Sequence, residues 1–142
     1  MSTGTDPAEA SAASAALAAN KKLVTEFIRL FYNEKDLERA GALLTDDFAN
    51  HHPGVGRGRD RTLATFGEVA ENLPGFSLTV HRMAAEGDLV WTHSLARTGP
   101  GADGAVVVDI WRVRDGRLAE HWDVGQAVPE GMTADDMLGD AR

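Results

Sequence analysis

Val106-Val107-Val108-Asp109-Ile110-Trp111-Arg112-Val113-Arg114-Asp115-Gly116-Arg117-Leu118-Ala119-Glu120-His121-Trp122-Asp123-Val124 holds the strongest strand signal in the chain. Two runs rich in β-branched and aromatic residues flank Arg114-Asp115-Gly116, a turn by composition, so the segment reads as a β-hairpin. Strand side chains alternate between faces, and the length of the turn sets which residues share one. A two-residue Asp115-Gly116 loop opposes Arg114 to Arg117 and turns Asp109 away from Asp123. A three-residue loop, a type I turn with Gly116 at a left-handed bulge position, opposes Asp109 to His121 and Val107 to Asp123. We expect the second, because in it Asp109, His121 and Asp123 gather on one face. The other face then carries Val106, Val108, Ile110, Trp122 and Val124, a surface too apolar to meet water alone, and is expected to be a homodimer interface.

Working outward, residues 105–113 and 117–128 are preceded by two further strand patterns. Phe76, Leu78 and Val80 alternate with polar neighbours, Glu86-Gly87-Asp88 turns the chain, and residues 89–98 form the next strand. The N-terminal half follows a helical period instead. Leu23, Phe27, Leu30 and Phe31 recur at helical spacing from Asn20, the expected N-cap. Asp36 caps a short second helix through Leu37, Ala40, Leu43 and Leu44. Residues 48–52 lead into the loop Pro53-Gly54-Val55-Gly56-Arg57-Gly58, and Asp60 caps a third helix bearing Leu63, Phe66, Val69 and Leu73, which Pro74-Gly75 stops. Helices first and hairpin-linked strands afterwards predict an α+β domain with an antiparallel sheet. Residues 1–19, rich in Ala and Ser without an apolar period, are expected to be a disordered tail, and 130–142 a loosely held acidic tail.

The 142 residues suit one domain, and no cysteine is present, which excludes disulfides, thiolate metal sites and a cysteine nucleophile and fits the cytoplasm. No apolar run is long enough for a membrane span, and the first nineteen residues, without Lys or Arg, suggest no signal peptide. The net charge is −8, carried largely by the ends: six of 22 acids and one of 14 bases lie outside 20–128, leaving 16 against 13. Nucleic acid is not an expected partner, since phosphate-backbone binding needs clustered Lys and Arg. The absence of a Gly-x-Ser-x-Gly elbow disfavours a serine hydrolase, and the glycine-rich loop follows no βα crossover that would make it a nucleotide site.

Asp109 interrupts an apolar run, which is unusual for a solvated residue. His121 equally suits a satisfied core histidine, His51-His52 simple loop polarity, and His93, between Trp91 and Leu95 on one strand face, mere partial burial. Together they suggest imidazoles and carboxylates meeting in one cavity, where burial and mutual charge tune acid and base strength.

The helical opening through Phe31-Tyr32, Leu43-Leu44-Thr45-Asp46-Asp47-Phe48-Ala49-Asn50-His51-His52-Pro53, Ala85-Glu86-Gly87-Asp88-Leu89-Val90 with His93, and the C-terminal hairpin resemble the SnoaL-like polyketide cyclase family over about residues 20–129. The resemblance implies a cone-shaped α+β barrel of the nuclear-transport-factor-two-like superfamily, three N-terminal helices packed on a curved antiparallel sheet, and usually a dimer. It also implies cofactor-free intramolecular aldol condensation with an aspartate acid/base, matching Asp123. The cyclases' supporting histidine falls at Asp109, a departure that places this chain nearer the broader branch of aldol-condensing enzymes. On this basis Asp123, His121 and Asp109 are expected to be catalytic. His51, His93 and Trp111 are expected to bind a carbonyl-containing small molecule. No cofactor and no metal are expected. Other readings stay open: an isomerase, dehydratase or hydrolase using the same His/Asp pocket, a ligand-binding protein without chemistry, and a metal site built from His51, His93, Asp109 and His121.

Overall fold

The computed structural model describes Gly4 and residues 6–139. Helix α1, Pro7–Ile28, begins far upstream of Asn20: the Asp6 carboxylate accepts from the Ala8 amide at 2.8 Å and Pro7 occupies the first turn. The expectation of a disordered tail up to residue 19 is thus corrected over its described part. Alanine's helix propensity carries the α1 backbone through residues 7–16, whose side chains stay exposed, and Met1–Thr3 and Thr5 lie outside the described residues. The helix runs on as a π-helical turn, Arg29–Glu34, which ends where Lys35 turns left-handed at φ 58°. Asp36 caps helix α2 (Leu37–Gly41), as expected. That helix stops short of Leu44, which opens strand β1, Leu44–Asn50.

Strand β1 escapes a period-two search because its burial runs in pairs: Leu44 and Thr45 in, Asp46 and Asp47 out, Phe48 and Ala49 in. An irregularity in its pairing between Leu44 and Ala49 produces that pattern. Strand β2 (Gly56–Arg57) folds back on it, and α3 (Arg59–Asn72) follows. Gly58, not Asp60, occupies the N-cap position, and Asp60 sits in the first turn, where a carboxylate suits the helix dipole. Strands β3 (Ser77–Glu86), β4 (Leu89–Gly99), β5 (Ala102–Arg114) and β6 (Arg117–Ala127) are successive antiparallel neighbours. The six-stranded sheet has the order β2-β1-β6-β5-β4-β3, with β1 parallel to β6, so it is mixed where a purely antiparallel sheet was expected. It is curved and unclosed, and α1, the π turn and α3 pack into its concave face. There Phe27 meets Trp111 edge-on at 5.4 Å and Phe31 stacks on Phe66 at 4.3 Å.

The decisive turn differs from expectation. Arg114 pairs with Arg117 across the two-residue loop Asp115-Gly116, both at positive φ (52° and 75°), the signature of a type I′ hairpin that Asp-Gly favours. Asp109 nevertheless shares a face with His121 and Asp123. The register shifts between Arg112–Glu120 and Val113–Leu118, so Ala119 is an extra residue, and Leu118 and Ala119 are both buried. This bulge flips the strand beyond it, opposing Asp109 to Asp123, Trp111 to His121 and Val107 to Gly125.

The C-terminal segment is not loosely held up to Gly139. Thr133 and Asp136 form a capping box for helix α4 (Ala134–Leu138). Ala134 and Leu138 are buried against Leu95 and Val106, and Arg82 donates to the Leu138 carbonyl at 2.7 Å. Val106, expected in a homodimer interface, is therefore covered by the chain's own helix. Residues 140–142 lie outside the described residues. No described helix is long and apolar enough to cross a membrane.

Candidate active site

Alternation along β4, β5 and β6 sends Thr92, Ser94, Val107, Asp109, Trp111, His121 and Asp123 to the concave face. His121 and Asp109 form a buried pair, Nε2 to Oδ1 at 2.7 Å, with both side chains at most 4% exposed. Trp111 lies beneath, its ring 4.2 Å from the imidazole, wedged against Phe27. It supports the site without lining the cavity, so its expected role as a substrate-binding residue is corrected. Above the pair opens a cavity of about 310 Å³, walled by Phe31, Tyr32, Phe66, Phe76, Val69 and Val107. Asp123 also lines it and is 18% exposed.

The strand that sequence reasoning missed brings in the remaining polar groups. Asn50 pairs with His121 across the parallel β1–β6 edge, and the His51 amide donates to the His121 carbonyl at 2.8 Å. Alternation then points Asn50 and His52 inward and His51 outward. His52 reaches the Asp123 carboxylate, Nδ1 to Oδ2 at 2.7 Å, and lines the cavity mouth. His51 instead pairs with Glu120 at 2.7 Å and stacks on Trp122 at 5.2 Å, on the convex face. Burial pushes the Glu120 carboxyl up, but hydrogen bonds from His51 and Arg112 outweigh it and hold the group below its ordinary value. His93 is also on the convex face, beside Val108, with Arg82 against its Nδ1. Burial, then the positive Arg82 and His81, lower its pKa. His51 and His93 are thus no part of the cavity, contrary to expectation, and the imidazole and phenol that do line it are those of His52 and Tyr32.

Tyr32 is brought to the cavity by the π turn, whose wider spacing sets Phe31 and Tyr32 together on its wall. Burial holds its phenol well above the ordinary tyrosine value, and the Asp109 and Asp123 carboxylates push the same way. Its hydroxyl therefore stays protonated, a donor on the wall of the cavity that Asp109 and Asp123 also line. The only signal for it in the sequence is an aromatic at the end of the apolar helix stripe, a position that core packing explains equally well.

A metal site of His51, His93, Asp109 and His121 is excluded by the same geometry, since two of the four lie on the opposite face of the sheet. Asp109, His121 and Asp123 do place one ligand-type atom each within 4.8 Å of one another. Both ring nitrogens of His121 are already engaged, however, Nε2 by Asp109 and Nδ1 by Asn50 at 3.0 Å.

The sequence profile of the SnoaL-like domain matches residues 24–121, ending two residues before Asp123. No curated protein sequence matches the chain. Among solved structures, IdmH of Streptomyces antibioticus, a candidate polyketide cyclase, is 26% identical with a TM-score of 0.64, covering 75% of this chain and 91% of its own. TsrD of Streptomyces laurentii is 23% identical with a TM-score of 0.64, covering 77% and 89%. A candidate ketosteroid isomerase of Kribbella flavida is 22% identical with a TM-score of 0.65, covering 87% and 90%.

Proposed function

The chain belongs to the SnoaL-like domain family, and from that premise we propose that its cavity carries out cofactor-independent acid–base chemistry beside a carbonyl, of the aldol condensation or cyclisation type, on a small molecule. The observation that carries the reading is Asp123. It is a partly buried carboxylate, oriented by His52 at 2.7 Å, opening into an otherwise largely apolar cavity beside a protonated phenol. Asp123 removes a proton α to the carbonyl, and the enolate oxygen takes a hydrogen bond from Tyr32. The enolate carbon attacks a second carbonyl of the same molecule, and the alkoxide that results receives the proton back from Asp123. An isomerase returns that proton to another carbon without forming a C–C bond, so the same groups serve both reactions. Each positioned acid or base contributes roughly 10²–10⁴-fold.

The test is a turnover screen with enolisable diketones and keto acids small enough for the cavity. Asp123→Asn keeps the shape but cannot exchange the proton, and turnover should fall by about the factor above. Asp109→Asn should be milder. The reverse ranking moves the catalytic role to Asp109. A ligand that binds wild type and Asp123→Asn alike, with no turnover in either, makes this a binding protein.

We also propose a homodimer through the convex face, where Trp91, Ile110 and Trp122 are half-buried and Val124 is 69% exposed. Trp122→Asp should yield monomers by light scattering at micromolar concentration. A wild-type protein that is already monomeric there refutes the dimer. In this reading the domain works in the cytoplasm, where a chain without cysteine is at home.

A further inference from the structure

Asn50 touches both His–Asp pairs, and its contacts determine where their protons lie. The backbone N–H of His52 can only donate, so the Asn50 atom 2.9 Å from it is the amide oxygen. The amide nitrogen then faces the buried Thr62 hydroxyl at 3.5 Å, at the long limit for a hydrogen bond. Flipping the amide would set two donors against each other. His121 Nδ1 lies 3.0 Å from that same oxygen, which has no proton to give, so Nδ1 brings its own. A further proton lies between Nε2 and Asp109 Oδ1. On whichever of these two atoms it resides, His121 has no free lone pair to offer a substrate.

We propose that Asn50 is a positioning residue: its side-chain oxygen fixes the proton of His121 on Nδ1, and also anchors His52 where it meets Asp123. The inference rests on reading this cavity as the active site. It assigns His121 to holding Asp109 and leaves proton exchange with a substrate to Asp123, His52 and Tyr32. The Asp123 dyad is suited to that work because the His52 side chain is 55% exposed and reaches solvent, whereas the side chains of the His121 pair are at most 4% exposed.

Imidazole ¹⁵N NMR of the full chain tests this without any substrate, so its outcome is separate from that of the turnover screen. His121 Nδ1, which faces the Asn50 oxygen, should show the protonated-type shift. Asn50→Asp, which keeps an acceptor oxygen, should preserve it. Asn50→Leu should convert Nδ1 to the bare type, its proton lost to solvent while the proton between Nε2 and Asp109 stays. The His52 amide, losing its acceptor, should exchange with solvent about fivefold faster or more. A bare Nδ1 in the wild type overturns the proposal even if Asn50→Leu fails to fold. So does an unchanged Nδ1 proton in a folded Asn50→Leu.

Discussion

Cutting the Asp109–His121 pair at one end should cost far more than its single hydrogen bond. Both residues are at most 3% exposed, and Asp109 Oδ2 has no protein partner among the described residues, so the carboxylate already depends on His121 for its one contact. Asp109→Ala leaves the imidazole Nε2 buried without a partner. His121→Ala strips Asp109 of its last one and opens a void over Trp111. Breaking a buried pair from one side costs about 3–5 kcal/mol, because a polar or charged group is left uncompensated. The double substitution removes both groups and should cost clearly less than the sum, with a coupling of about 1–3 kcal/mol. With a urea slope of about 1–3 kcal/mol/M, each single change should lower the midpoint by about 2 M, readable by tryptophan fluorescence. The exposed Arg114–Asp47 pair at 2.6 Å is the control, and its removal should change little. Single costs that sum to the double within about 0.5 kcal/mol would refute the interdependence of the pair.

Three further outcomes follow from the fold. The folded state disfavours protonated His93, so stability should be full above the unfolded histidine value of about 6.5 and fall as pH drops from there toward the lowered folded value; His93→Gln should flatten that slope in urea titrations, and an unchanged slope would assign it to other groups. Leu138→Ala should destabilise by about 2 kcal/mol, read as a lower urea midpoint, because Leu138 is 3% exposed against Leu95 and Val106; no change would mean that α4 does not hold in solution. Deleting residues 1–19 should leave the melting temperature nearly unchanged, since side chains 7–16 are exposed although helical, and a large loss would show that this segment docks.

Much of this molecule was legible in its sequence because its information is local. The helical periods of residues 20–31 and 60–73, the Asp36 cap, the Pro74 stop and the strand alternation after Ser77 each depend on neighbours a few positions away. An aspartate inside Val106-Val107-Val108-Asp109-Ile110 marked the buried acid, and His121 and Asp123, two apart on one strand, had to share a face. The rest was decided by pairing between distant segments. The turn is two residues long, and the bulge at Ala119 restores the shared face; a bulge leaves no mark in residue types, because Leu118 and Ala119 suit a core in either register. Which histidine of His51-His52 enters the cavity depends on β1 lying parallel to β6 with Asn50 beside His121, a register set 71 positions away. Alternation sends His51 and His93 to the convex face just as it sends His52 inward, and one step of register would exchange His51 with His52. Tyr32 required the π turn, and α4 required the patch of Leu95 and Val106 on which it rests. Residue chemistry named the acids and imidazoles, but only the tertiary structure could say which share a cavity, because that is a property of register between strands and not of the order of residues within one.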